Sequence, residues 1–151
     1  MTLSKKLFGF QGRLRRRDYW LFTIAIGVLN IALLFGLSGI LGVAYTDPWM
    51  QAVSLITAWP GIAVMVKRLH DRNRSGWFAL IAWVPSLTAL ALIPFANQTY
   101  LMVNSIFSAL VGIWILVDLG ILDGTKGPNR YGASPKGLGV PTDAELDEVF
   151  A

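Results

Sequence analysis

The chain has 151 residues, of which 54% are hydrophobic and 15% charged, with 13 basic and 9 acidic side chains and a net charge of +4. A soluble domain is about a quarter charged, and the mean hydropathy here is +0.55. With no cysteine and with its charge kept apart from its apolar runs, the sequence excludes a water-soluble globule, a disordered chain and a disulfide-stapled secreted scaffold.

Residues 1–18 form a basic segment. Residues 19–122 hold four apolar stretches, at 20–45, 49–66, 76–96 and 100–122, whose 88 residues include a single charge, Asp118. An α-helix rises ~1.5 Å per residue and the hydrocarbon layer is ~30 Å thick, so ~20 apolar residues cross it. The third and fourth stretches fit directly, the first must tilt or project, and the second is short, with Trp49 at the interface. Tyr19, Trp20, Tyr45, Trp49, Trp77 and Tyr100 mark the edges, at the headgroup level that amphipathic rings favour. The runs are continuous rather than alternating, which argues against β-spans. The expected fold is all-α, a polytopic four-transmembrane-helix bundle (19–122) followed by a tail at 123–151.

Every Lys and Arg lies before the first stretch, between the second and third, or after the fourth; the connections at 46–48 and 97–99 have none. The positive-inside bias therefore puts both termini and the central loop in the cytoplasm. A cleaved signal peptide ending near Gly42-Val43-Ala44 is the competing reading. Its apolar region would be about twice the usual ~7–15 residues, and three more stretches follow.

Small residues recur at spacings of three and four within the stretches: Gly36, Gly39 and Gly42, Ser38 with Gly42, and Ser108 with Gly112. Such faces serve helix packing inside one bundle or dimerisation. Asn30, Thr57 and Ser86 fall at similar depth, near Pro60 and Pro85, and would form a midplane polar layer. That layer reads as hydrogen bonding between helices or as the site of a small transporter, though no midplane charge is there to couple ions. Asp118 sits about one turn inside the inner interface, where it is expected to meet Arg13, Arg17 or Arg68. In the tail, Asp-Gly, Gly-Pro and Tyr-Gly pairs predict turns. Thr142 with Glu145 then match a capping box opening a short helix, with Leu146, Val149 and Phe150 on one side.

Three polar segments converge on the cytoplasmic face. The first carries Gly12-Arg13, Arg16 and Tyr19-Trp20; the second Arg68-Leu69-His70-Asp71 and Ser75-Gly76-Trp77; the third Gly127, Asn129, Tyr131-Gly132 and Pro135. Over about residues 8–136 this pattern resembles the bacterial family catalogued as domain of unknown function 805. The resemblance implies a small multi-pass protein of the bacterial inner membrane and carries no catalytic assignment.

His70 beside Asp71 is raw material for general-base chemistry. No second His, no Cys and no carboxylate cluster completes a metal site, and no nucleophile-elbow motif is present. No metal, cofactor or nucleic-acid partner is expected. The leading expectation is a non-enzymatic membrane module whose basic face binds anionic lipid or a partner protein. Arg13, Arg17, Arg68, Arg72 and Trp77 would make the contacts, since arginine grips phosphate bidentately. His70, Asp71, Ser75, Asp118, Asn129 and Tyr131 would shape that face. A homo-oligomer, a small transporter, and an enzyme acting on lipid or phosphate groups at the inner surface are the alternatives.

Overall fold

A computed structural model of the chain describes residues 2–44, 48–92 and 97–137. The capping-box helix expected beyond Pro141 lies outside the described residues. Among them there is no β-strand. The helices are α1 (Leu3–Phe8), α2 (Arg16–Leu41), α3 (Pro48–Asp71), α4 (Ala79–Leu92) and α5 (Gln98–Ile115). A 3-10 turn, Gly76–Phe78, leads into α4, and a π-helical turn, Leu116–Ile121, prolongs α5. Helix α2 (26 residues) and the continuous segment Gln98–Ile121 (24 residues) are long and apolar enough to cross a membrane.

Local chemistry sets the helix ends. Gly42, left-handed at φ 65°, donates its N–H to the Ser38 carbonyl at 2.9 Å and stops α2 there, short of the end of the apolar stretch at residue 45. The Asn97 side chain accepts the Tyr100 N–H at 2.8 Å and opens α5. Helix α3 runs past Val66 to Asp71, so it takes in Lys67 and, in its last turn, Arg68 and His70, which hydropathy alone assigns to a loop. Helix α1, which the apolar pattern does not announce, packs Leu7 against the core.

The packing is inverted relative to a protein in water. Buried apolar residues cluster at one end, with Leu14, Tyr19, Phe22, Val64, Leu69 and Leu119 at their centre. Farther along, Val28, Ile31 and Phe35 of α2 and Val103, Ile106 and Leu110 of α5 are exposed. Meanwhile Lys67 and Arg68 are 0% exposed. Apolar surface on this scale is stable only against lipid or another protein.

Between α2 and α3, Asn30 Nδ2 donates to Thr57 Oγ1 at 2.7 Å. The Ser86 side chain lies outside the described set, and Thr88 instead joins α4 to α5 through Asn104 at 3.0 Å. Gly36, Gly39, Gly42 and Gly112 have no atom within 4 Å of where a Cβ would stand. No close helix contact is therefore seen at these glycines among the described residues. Close approach occurs instead at Gly120, where a Cβ would lie 2.7 Å from Trp20 Cζ2.

Candidate functional site

The candidate site is the charged collar built where the chain between α1 and α2, the end of α3, the end of α5 and the tail meet. Leu14 donates its N–H to the Lys67 carbonyl at 3.2 Å, which fixes the extended segment bearing Arg13 along the last turns of α3. Arg13 Nε donates to Asp71 Oδ1 at 3.0 Å. Its other nitrogens reach the carbonyl oxygens of Gly127 at 2.7 Å and Thr125 at 2.6 Å. Arg68 binds the second Asp71 oxygen and donates Nε to the Leu119 carbonyl at 2.8 Å. Side-chain exposures of 2%, 0% and 5% for Arg13, Arg68 and Asp71 make this a buried triad. Burying charge is costly unless it is both paired and hydrogen-bonded, and here each condition is met. Gly124 abuts the same carboxylate: a Cβ there would lie 2.7 Å from Oδ1 and closer still to Oδ2.

The end of α5 explains where the remaining cations go. In the π turn Leu122 donates to the Val117 carbonyl at 3.0 Å. The helix stops there, and each of the five carbonyls from Leu119 to Asp123 receives a side-chain donor. Leu119 takes Arg68, Gly120 takes Trp20 Nε1 at 3.0 Å, Ile121 takes Arg16, Leu122 takes Arg68, and Asp123 takes Arg72. Cations at a helix C-terminus satisfy orphan acceptors and oppose the negative end of the dipole. Lys67 does the same for α1, donating Nζ to the carbonyls of Lys5 at 3.0 Å and Gly9 at 2.7 Å, and to that of Lys6.

Asp118, 4% exposed, pairs with Arg74 Nε at 3.0 Å and Arg72 at 3.4 Å. This corrects the expected partners Arg13, Arg17 and Arg68. Asn73 adopts φ 57° and turns the chain back after α3, bringing Arg72 and Arg74 to α5, while Arg68 is held by Asp71 and by carbonyls.

His70 Nδ1 lies 3.2 Å from the Gly12 carbonyl, and its ring stacks on Tyr131 with centroids 3.8 Å apart and planes 6° from parallel. Arg130 lies over the Tyr131 ring at 4.8 Å. Burial draws the His70 pKa below its ordinary 6.5, with Arg130 and Lys67 adding to it, against the Gly12 carbonyl. His70 and Asp71 thus engage different partners, and no His–carboxylate pair forms among the described residues. Asn129 Nδ2 donates to the His70 carbonyl at 2.9 Å and to Thr125 Oγ1 at 2.9 Å, tying the tail to the end of α3. Ser75 accepts the Trp77 N–H at 3.4 Å and caps the 3-10 turn. A hydrogen bond from Lys136 and the charge of Arg16 hold the exposed Asp123 carboxyl below its usual range.

Among the residues expected to contact anions, Arg13 and Arg68 turn inward and Arg72 is held by Asp118 and the Asp123 carbonyl. Arg17 is exposed and Trp77 is 77% exposed. Among the described residues Lys5, Arg17 and Lys126 are exposed with neither an ion pair nor a side-chain hydrogen bond, while the exposed Arg15 and Arg130, also outside any ion pair, donate to the carbonyls of Pro135 and Asn73. Sequence reasoning missed the capping roles of Arg16 and Lys67 and the fit of Gly124. No group of three His, Cys, Asp or Glu that could hold a metal ion occurs among the described residues.

Comparison with known proteins gives a consistent picture. A family model described as "Protein of unknown function (DUF805)" matches residues 7–133. The uncharacterized protein YiiR of Escherichia coli is 35% identical over 147 residues, covering 95% of this chain and 97% of the relative. The inner membrane proteins YhaI and YhaH of E. coli are 31% and 32% identical, covering 90% of this chain and 93% and 94% of their own lengths. No solved structure matches the chain. Inner-membrane relatives and two helices able to cross a bilayer support an inner-membrane location. With the family model covering most of its length, the chain belongs to the DUF805 family.

Proposed function

We propose that the chain crosses the inner membrane four times with both ends cytoplasmic, and that its basic face is a non-enzymatic docking surface for anionic phospholipid. The observation that carries this reading is the division among the cations. Arg13, Lys67 and Arg68 are taken up by internal acceptors, whereas Lys5, Arg17 and Lys126 stand exposed without ion pairs among the described residues. Each such residue contributes ~1 kcal/mol near an anionic leaflet. The exposed Trp77 suits the headgroup level. Support for the second and third crossings comes from α3, whose 24 residues extend ~36 Å, and from the apolar helix after it.

The test places the purified protein in nanodiscs of phosphatidylglycerol or phosphatidylcholine and counts retained lipids by native mass spectrometry. Wild type should retain phosphatidylglycerol preferentially, and the triple variant K5Q/R17Q/K126Q should lose that preference. An unchanged preference in the variant, or none in wild type, refutes the lipid reading. For topology, Gln98→Cys and Lys126→Cys in this cysteine-free chain should differ in intact cells, with an impermeant maleimide reaching only the former. Equal labelling of both refutes the orientation.

A further inference from the structure

We infer that a lateral cleft among α2, α3, α4 and the end of α5 seats one acyl chain of an anionic phospholipid from the cytoplasmic leaflet, an inference that rests on the lipid-binding reading above. The cleft, open on one side, offers about 290 Å³ and is lined by Tyr19, Thr23 and Ile26 of α2, Gly61 and Met65 of α3, and Trp83 of α4. Its lining is mostly hydrocarbon and aromatic, without a charged side chain. A cavity of ~150 Å³ holds a benzene molecule, so one nearly twice that size accepts a segment of roughly a dozen chain carbons.

Two observations identify the occupant. The first is the floor of the cleft. No described atom outside the backbone of α3 lies within 4 Å of the position a Gly61 Cβ would take, so the cleft is open at this point and a longer side chain there would enter it. The second is charge at one end. Arg16, Tyr19, Thr23 and Ile26 follow the spacing i, i+3, i+7, i+10 and so share one stripe of α2. Arg16, its side chain 46% exposed, begins that stripe where the apolar stretch gives way to the basic segment; its Nη1 is held by the Ile121 carbonyl and lies 3.8 Å from Asp123 Oδ1, leaving Nε and Nη2 without a hydrogen bond among the described residues. A lipid whose chain runs along the stripe brings its phosphate to this guanidinium, a group suited to bidentate phosphate bonding. A neutral lipid would gain the hydrocarbon fit but not the charge.

The test compares wild type, Gly61→Ala, Gly61→Leu and Ala82→Leu, the last narrowing the cleft from α4. Leucine is a better helix former than glycine, so the position tolerates the change in backbone terms. Each purified protein is incubated with dioleoyl phosphatidylglycerol or dioleoyl phosphatidylcholine and its retained lipids are counted by native mass spectrometry, with an unfolding midpoint measured alongside. Wild type and G61A should hold one phosphatidylglycerol, and G61L and A82L should hold it about tenfold less at an unchanged midpoint. If both leucine variants retain the lipid as wild type does while the preference for phosphatidylglycerol persists, the cleft proposal is overturned and the basic-face reading stands. If wild type shows no such preference, both fall. If the leucine variants split a wild-type dimer and leave lipid retention unchanged, a second copy fills the cleft and the proposal fails.

Discussion

Asp71→Asn tests whether the collar is held by its buried triad. The carboxylate lies between Arg13 and Arg68, all three nearly inaccessible to solvent. Removing one member of a buried ion pair typically costs ~3–5 kcal/mol, because the partner charge is left without compensation. Asparagine keeps the volume and one acceptor, but its amide nitrogen must face a guanidinium, donor against donor. Both arginines retain carbonyl acceptors from Leu119, Thr125 and Gly127, which moderates the loss. The expected cost is therefore ~3 kcal/mol, about two decades in the ratio of folded to unfolded protein. Equilibrium unfolding in mixed micelles, followed by tryptophan fluorescence, measures it. The exposed Asp123→Asn serves as the control for a lost surface charge. Arg13→Gln combined with D71N should cost clearly less than the sum of the two single changes, since they share one network. A D71N shift no larger than that of D123N, or strict additivity with R13Q, would refute the argument.

Gly124→Ala should cost ~1–3 kcal/mol as an overpacked contact, because the new methyl overlaps the Asp71 carboxylate. In an Asp71→Ala background the same change should be nearly neutral, a double-mutant comparison that separates the steric cause from a backbone one. Acidification should loosen the collar through His70. Its pKa lies below 6.5 in the folded protein and near 6.5 in the unfolded chain, so between those values only the unfolded chain binds the proton. Stability should then fall as pH drops through that window, and His70→Gln should flatten the difference between unfolding curves at pH 7.5 and pH 5.5; an equal slope in wild type and variant would exclude His70 as its source.

Hydropathy located the apolar stretches because span position depends only on summed composition. Side-chain direction depends on helix phase, and there the sequence was harder to read. Arg68 and Asp71 look like loop residues if the second span is ended at Val66. Continued as a helix, Val64, Arg68 and Asp71 fall at i, i+4 and i+7, one stripe with the buried Val64 leading it, and both charged residues point inward. The depth of Asp118 was legible and its partner was not. A π turn adds a residue to the turn and rotates the residues beyond it by ~100°, and no motif in Leu116–Ile121 announces it. Asn129 and Tyr131 were read as ties for the tail, and they bind and stack on His70, because turn chemistry is local enough to survive without tertiary knowledge.

A basic residue beside a span has two separable effects: its charge biases topology, and its donors satisfy whatever acceptors lie near. In the proposed orientation α3 and α5 both end at the cytoplasmic side, so their unpaired carbonyls and negative dipole ends lie where the positive-inside bias concentrates cations. Arg68 shows how far the two roles differ. Its three nitrogens serve Asp71 and the carbonyls of Leu119, Leu122 and Leu14, a set too widely spread for one ammonium. Arg68→Lys preserves the charge and should leave cysteine labelling at Gln98 and Lys126 positions unchanged. It should nevertheless cost ~3 kcal/mol in the unfolding assay, since charge-assisted hydrogen bonds are worth ~1.5–3 kcal/mol each and two are lost. If R68K unfolds at the wild-type midpoint, the collar needs only positive charge and the carbonyl caps of α5 contribute nothing. If R68K inverts the labelling, arginine geometry sets orientation, and the separation of the two roles is wrong.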